Sequence, residues 1–224
     1  MVKQFSRTIR LCYLCGMPGA DTREHIPPRG IFPKNPSGQL ITVPAHLKCN
    51  QQFDKDDELF RDKIIMASWR SIEGKRAYRE IVRPSLHKNP GIKRKLRGAL
   101  TTAWIEDRVS KSLIPARAIK LECDLVERQI DRWTRGLFYH KFKHPLSPAV
   151  KVQVDRLNPP EQSVVPFVLE LAKQGIQPKW VDVEPGVFTY TYLTTFESNN
   201  IGLALFLFFD TEVYLGSTGT ATSD

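Results

Sequence analysis

The sequence of 224 residues has no long apolar run and no apolar N-terminal core. Its longest apolar stretch, 203–209, falls far short of the roughly 20 consecutive apolar residues that a transmembrane helix needs. The first residues, 1–5, lack the apolar segment of a secretory signal peptide. We therefore expect no membrane span, and the cytoplasm is the predicted location.

Cysteine is also scarce, since the chain has only four. Cys12 and Cys15 form a close pair, Cys49 follows at a distance, and Cys123 lies far along the chain. This spacing is not that of a disulfide framework. In a reducing compartment, a close pair with a distant partner favours a metal site over a disulfide.

Net positive charge is concentrated in the middle of the chain, where acidic residues are greatly outnumbered. The net charge is +9, and residues 61–151 hold 22 Lys or Arg against 9 Asp or Glu, a net charge of +13. Residues 152–224 hold 3 against 9, a net charge of −6. A basic segment beside an acidic one is typical of a protein that binds a polyanion, although a solvated basic helical surface without a partner has the same composition.

Hydrophobic periodicity predicts an α+β fold. Proline and glycine punctuate residues 11–48, which indicates loops and short strands, including one at Leu40–Val43. From about Asn50 onward, apolar residues recur at helical spacing. Further helices are predicted through about residue 83 and across 93–111, with a break marked by Pro84, Pro90 and Gly91, and again over 124–139 and over 163–174. Strands are predicted over 187–193, 203–209 and 213–215.

Two pairs of potential metal ligands bracket the loop-rich segment. Cys12 and Cys15 are separated by two residues, and so are His46 and Cys49. Two short turns of this kind present thiolates and an imidazole in the tetrahedron that Zn²⁺ accepts. A segment with so little apolar periodicity needs such a source of order. We therefore predict a structural zinc site, against the alternative of buried cysteines without a metal.

An acid–histidine pair, Glu24-His25, lies between the two ligand pairs. Alone it is unremarkable, because a single histidine is more often an ordinary hydrogen-bonded residue. Asn50 follows the last proposed zinc ligand directly, and Asp54 comes four residues later. Positions four apart share one face of a helix, so these oxygens can converge on one point.

Together these motifs resemble the HNH (ββα-metal) endonuclease family over roughly residues 10–65. A zinc pair, an acid–histidine dipeptide and a second zinc pair running into a helix headed by asparagine occur in that order. The resemblance implies an N-terminal zinc-bound ββα-metal module at 1–70. A basic helical segment at 71–151 and a C-terminal α+β portion with an antiparallel sheet at 152–224 would follow.

The resemblance also implies an activity, the metal-dependent hydrolysis of phosphodiester bonds in nucleic acid, with DNA the favoured substrate. His25 would be the general base that activates water. Glu24 and Asn50, with Asp54 as a third donor, would hold Mg²⁺ or Mn²⁺, which stabilises the leaving 3′ oxygen. The zinc would only keep the strands and the helix in register.

The sequence departs from the family pattern at the middle asparagine, which orients the base histidine. Asn35 and Gln39 are the nearest candidates, and neither has the usual spacing. The alternative function is therefore a zinc-stabilised nucleic-acid-binding module without catalysis. A third possibility is a protein-interaction adaptor that uses the acidic C-terminal sheet, which can also pack back on the helices or form a homodimer interface.

The basic segment is where we expect the nucleic-acid backbone to lie, because Lys and Arg side chains neutralise phosphates. The densest clusters of cations are Lys75, Arg76, Arg79, Lys93, Arg94, Lys95 and Arg97.

Overall fold

The computed structural model describes residues 10–107, 109–157, 166, 170, 173, 176–194 and 202–218. The first half of the chain is a β-hairpin followed by helices. Strands β1 (Thr22–Ile26) and β2 (Ile41–Ala45) pair antiparallel, with Glu24 opposite Val43. The helical elements that follow are α1 (Leu47–Gln51), α2 (Asp54–Ala67), α3 (Ile72–Ala77), a π-helical turn (Tyr78–Val82), α4 (Arg83–Lys88) and α5 (Pro90–Ala99).

The second half of the chain is mainly β-structure around one long helix. Strands β3 (Leu100–Glu106) and β4 (Leu113–Ile119) form a second hairpin, and α6 (Cys123–Phe142) follows it. A five-stranded antiparallel sheet in the order β5-β9-β8-β7-β6 completes the fold. Its strands are β5 (Val152–Arg156), β6 (Val181–Glu184), β7 (Phe188–Thr194), β8 (Gly202–Phe208) and β9 (Glu212–Thr218).

Helix α6 lies at the centre of the core, between the N-terminal helices and the five-stranded sheet. Its Trp133 is fully buried, and the indole ring packs edge-on against Phe60 of α2 at 5.1 Å between centroids. The same ring lies 5.6 Å from the ring of Phe208 on β8. Burial of such large aromatic side chains contributes strongly to the stability of the folded chain. The antiparallel α+β class expected from the sequence is therefore confirmed.

Most of the expected elements are present. The strand near Leu40–Val43, the helix over 124–139 and the three C-terminal strands are all found at about the predicted positions. Strands β5 and β6 were not predicted. The expected helix at 163–174 lies outside the described residues, apart from three helical positions at 166, 170 and 173.

The prediction of helix across 93–111 is wrong beyond Ala99. The chain turns into the β3–β4 hairpin instead, because Thr101, Thr102 and Trp104 favour an extended backbone. Asp107 then closes the turn, since its carboxylate accepts hydrogen bonds from the backbone N–H groups of residues 109 and 110. The hydrogen bonds of this turn therefore determine the local structure, although the basic residues fit a helical pattern.

The predicted break marked by Pro84, Pro90 and Gly91 lies at Asn89, between α4 and α5, whereas Pro84 lies in the first turn of α4. A π-helical turn, Tyr78–Val82, directly precedes α4, so the helical backbone runs through Pro84 with an irregular turn just before it. None of the helices in the described part of the chain combines the length and apolar character that a bilayer span requires.

Helix α6 passes very close to β1 at Gly136. A Cβ atom at this position would lie 2.6 Å from the side-chain carbons of Ile26, where no carbon atom fits without a shift. The missing side chain therefore lets the helix pack directly on the strand that carries Glu24 and His25. It fixes the distance between α6 and the candidate site.

The substitution Gly136→Ala should lower the free energy of unfolding by about 1–3 kcal/mol, because overpacking moves Ile26 or the helix. Gly98→Ala is the matched control, since this glycine of α5 has open space where its Cβ would be. That change should leave the stability unchanged or raise it by up to about 1 kcal/mol. Denaturant unfolding measures both, and a Gly136→Ala variant as stable as the wild type would contradict the close approach.

Candidate metal centre and acid–histidine pair

The structure brings the four predicted zinc ligands together. The ligand atoms of Cys12, Cys15, His46 and Cys49 all lie within 4.8 Å of one another. Cys12 is buried and the other three are half-buried, so the group lies at the edge of the core. Three thiols and one imidazole at this spacing can bind a metal such as zinc.

The first ligand pair lies in a tight turn that the local backbone determines. The N–H of Cys12 donates to the carbonyl of Met17 at 2.9 Å, and the N–H of Gly16 donates back to the carbonyl of Cys12 at 2.9 Å. Gly16 has a φ of +73°, a conformation that glycine adopts without strain. The turn therefore points the thiols of Cys12 and Cys15 to one side.

The second ligand pair lies where β2 ends and α1 begins. The His46 ring has its Nε2 atom 3.0 Å from the carbonyl oxygen of Pro18, which favours a proton on Nε2. The other ring nitrogen, Nδ1, then faces the sulfur atoms of Cys15 at 3.4 Å and Cys49 at 3.9 Å. Tetrahedral zinc requires a nitrogen–sulfur separation of about 3.6 Å, which lies between these values.

The environment of the thiols shifts the pKa values of Cys12 and Cys49. Burial and the neighbouring Cys12 and Cys15 groups raise the pKa of Cys49 to about 12. Burial also raises the pKa of Cys12, but backbone N–H donors outweigh it, so the net shift is downward. Thiolates that repel one another at this distance are the groups whose charge a bound cation compensates.

The Cys49→Ser variant should lose the metal and unfold at a lower temperature, because a site with three ligands holds zinc weakly. A stability loss of only ~3 kcal/mol lowers the Tm by roughly 6–12 °C in a chain of this size. Cys123→Ser, an exposed cysteine outside the group, is the control and should retain both metal and Tm. Elemental analysis of the purified full chain gives the metal content, and unchanged zinc in Cys49→Ser would refute the site.

Glu24 lies on the buried face of β1 and forms an ion pair that the sequence did not indicate. Its side chain is 4% exposed, and its Oε1 lies 3.0 Å from Nη1 of Arg132 on α6, which is 1% exposed. The same guanidinium also pairs with Asp57 of α2 and lies 4.5 Å over the ring of Phe53. Arg132 therefore joins β1, α2 and α6 through one buried cation.

Burial has the largest effect on the pKa of Glu24. It raises the pKa of this carboxyl to about 7, against the opposing effects of the Arg132 charge and the Tyr13 hydroxyl. Among the described residues, the oxygens of Glu24, the hydroxyl of Tyr13 and two nitrogens of Arg132 are buried without a well-formed hydrogen bond. Such a cluster retains donors and acceptors for a water molecule or an ion.

His25 lies on the other face of β1 from Glu24, because successive residues of a strand alternate. The ring is half-buried and lies opposite Thr42 of β2. Burial lowers the pKa of His25, and the positive charge of Arg29 lowers it further. The imidazole is therefore neutral at pH 7, as a general base must be.

Asn50 lies in α1 directly after Cys49, and Asp54 is the first residue of α2. Asp54 lines a cleft of about 330 Å³ that also includes Asp57, Glu58, Arg61, Pro28 and Gly30. In the part of the chain that the structure describes, three or more ligand atoms of His, Cys, Asp or Glu converge only at the Cys/His group. The predicted set of Glu24, Asn50 and Asp54 stays a prediction.

Arg132 and Asp57 are the residues that sequence reasoning missed. Arg132 precedes Trp133, and it belongs to a buried face of α6 on which Gln129 lies three residues earlier. The Gln129 amide donates to Asp57 at 2.9 Å, and its carbonyl oxygen accepts from Arg132 at 2.7 Å. A polar pair three residues apart on the apolar side of a helix signals buried partners, but it does not identify them.

The seven predicted phosphate-binding cations are all exposed. Those of α5 lie outside the stripe formed by its buried residues Ile92 and Leu96. Arg76 has a different environment, because it forms ion pairs with Glu73 and Glu80, each at 3.3 Å. Exposed pairs of this kind are weak, so they leave the positive surface largely intact.

No family model, no curated protein and no solved structure matches the chain.

The Glu24→Gln variant should change how stability depends on pH. The pKa of Glu24 is raised from 4.5 to about 7, so the folded state disfavours its ionised form. The contribution of this group to stability therefore falls as the pH rises from 4.5 to about 7, and it is constant above. Glutamine does not titrate, so the unfolding free energy of the wild type relative to the variant should fall by up to about 3 kcal/mol across this interval.

Urea unfolding at several pH values, without added divalent cations, measures this difference. A difference between the wild type and Glu24→Gln that stays constant from pH 4.5 to 8 would contradict the raised pKa of Glu24.

Proposed function

We propose that the chain is a metal-dependent endonuclease of the HNH type that hydrolyses phosphodiester bonds of nucleic acid, with DNA the favoured substrate. The observation that carries the proposal is the placement of the acid–histidine strand β1 beside the Cys/His group, with Asn50 directly after the last ligand in helix α1. A hairpin and a helix joined at a Cys/His group support the proposal, because a ββα-metal module would have this arrangement. The proposed function is the activity of the family that the motifs of residues 10–65 resemble.

In the proposed reaction, His25 takes a proton from the water molecule that attacks the phosphorus atom. The new phosphorus–oxygen bond forms as the bond to the 3′ oxygen breaks, and the 3′ oxygen leaves with the electron pair. The half-buried, neutral imidazole supports this role, since burial and Arg29 lower the pKa of His25. General base catalysis of this kind contributes about 10²–10⁴-fold to the rate.

The donors for a catalytic Mg²⁺ or Mn²⁺ would be Glu24, Asn50 and Asp54, which offer the carboxylate and amide oxygens that hard cations prefer. The Glu24 oxygens, buried without a well-formed hydrogen bond, fit such a role. When bound, the cation would stabilise the charge that develops on the leaving oxygen. Arg132 and Asp57 are positioning residues in this scheme, because they hold the Glu24 carboxylate in place.

Incubation of supercoiled plasmid with the full chain and Mg²⁺ or Mn²⁺ tests the activity. His25→Ala should reduce the nicking rate by about 100-fold or more, because the reaction loses its base. The matched control is His144→Ala, an exposed histidine outside the site, which should nick at the wild-type rate. Equal nicking by the wild type and His25→Ala would refute the mechanism.

The second candidate function is a zinc-stabilised nucleic-acid-binding module without catalysis. The Glu24–Arg132 ion pair favours it, since a guanidinium at 3.0 Å already compensates the charge that a divalent cation needs. The absence of the middle asparagine in the motif points the same way. This function predicts salt-dependent DNA binding that survives His25→Ala, and no nicking by the wild type with any divalent metal.

A further inference from the structure

A cleft of about 420 Å³ lies beyond the C-terminal end of α2. Two aromatic rings and four basic side chains line it, and no carboxylate is found among its described lining residues. The size is within the range of small-ligand sites in proteins. The lining residues that bear on its function are Trp69, Tyr78, Arg79, Arg83, His87 and Lys93.

The aromatic part of the cleft is a fixed and accessible surface. Trp69 is 48% exposed, although tryptophan is one of the residues that bury most apolar surface. Its ring meets the ring of Tyr78 edge-on, at 5.0 Å between centroids and 87° between planes. The T-shaped contact holds the indole in one orientation while part of its surface stays open to a second flat group.

The charged part of the cleft is uncompensated. Arg79, Arg83 and Lys93 are exposed, and no carboxylate of the described chain forms an ion pair with any of them. Arg76, close by in sequence, is paired with two glutamates and lies outside the cleft. The cleft therefore combines a stacking surface with cations that are free to bind an anion.

We propose that this cleft binds an unpaired nucleotide segment of the nucleic acid, with a base stacked on Trp69 and the neighbouring phosphates on Arg79, Arg83 and Lys93. The inference rests on the proposed function and adds to it that the substrate has a single-stranded region. A base within a duplex already stacks on both faces, whereas an unpaired base offers its face to an aromatic ring.

The cleft and the proposed catalytic donors lie at opposite ends of α2. The helix has 14 residues, which corresponds to about 21 Å between Asp54 and the start of the Trp69 turn. With a rise of about 3.4 Å per base along one strand, this distance corresponds to about six nucleotides. A probe of about 12 nucleotides therefore covers both ends.

The test uses the full chain carrying His25→Ala, without added divalent cations, so that cleavage does not interfere with binding. Fluorescence anisotropy gives the Kd for a labelled single-stranded DNA, for its abasic counterpart and for a duplex of the same length. These Kd values are compared among the His25→Ala parent, the same protein with Trp69→Ala and the same protein with Trp180→Ala. Trp180 is the matched control, because it is 37% exposed and lies outside the cleft.

We expect Trp69→Ala to weaken binding of single-stranded DNA by about 5- to 150-fold. Binding of the abasic strand and of the duplex should stay within about twofold, and Trp180→Ala should match the parent for all three probes. Circular dichroism shows whether the variants are folded.

Two results would overturn parts of the scheme, and they are distinguishable. If the parent binds single-stranded DNA and Trp69→Ala binds it equally tightly, or loses all three probes equally, the stacking site is refuted while the proposed function stands. If the parent binds none of the three probes, nucleic-acid binding itself is refuted, and both proposals fail.

Discussion

The convergence of three thiols and one imidazole is the constraint on which the N-terminal part of the structure depends. The segment before α1 has two short strands and many turns, and its buried apolar residues, such as Ile26, Phe32 and Val43, belong to the core that it shares with the rest of the chain. Tyr13, between the two cysteines of the first pair, donates its backbone N–H to Pro44 at 3.0 Å and so joins the metal-binding turn to β2. The position of the acid–histidine strand follows from that contact, because β2 is the only partner of β1 in the two-stranded sheet.

Arg132 is required by both candidate functions, which differ in what else the Glu24 carboxylate contacts. A buried guanidinium must be paired, and its carboxylate partners are Glu24 and Asp57, one from the acid–histidine strand and one from α2. If the Glu24 carboxylate is held only by this cation, it is a structural group and the site is inert. If its remaining lone pairs face a divalent cation, the same ion pair fixes the ligand in one orientation and lowers the cost of ordering it. Both readings need Arg132, which explains why α6 belongs to the site although it lies far along the chain.

The sequence was sufficient where a local pattern carries the information. Ligand spacing predicted the Cys/His group, because two residues between donors is a geometric requirement of the metal. Apolar periodicity predicted α6 and the central strands of the sheet, because such a repeat is also contained in a short stretch of sequence. The β3–β4 hairpin was missed since its basic and apolar residues match a helix as well as a strand, and only Asp107 marks the turn. The Glu24–Arg132 ion pair could not be predicted, because no local pattern shows which of many arginines will contact a buried acid about a hundred residues away.

Electrostatics makes the two ends of α2 unequal and links the proposals. At its N-terminal end, Asp54, Asp57 and Glu58 line the cleft with Arg61, and Asp57 also pairs with Arg132, so the carboxylates outnumber the cations and a phosphodiester would be repelled. At the C-terminal end the aromatic cleft is lined by basic side chains and would attract the strand that we propose it binds. Arg132 is already shared between Glu24 and Asp57, so it adds little positive charge for an incoming phosphate. A strand bound at the positive end would therefore reach the acidic end only when an additional cation neutralises those carboxylates. In the proposed reaction a divalent cation would supply this neutralisation, and without it the strand would stay at the basic end of the helix.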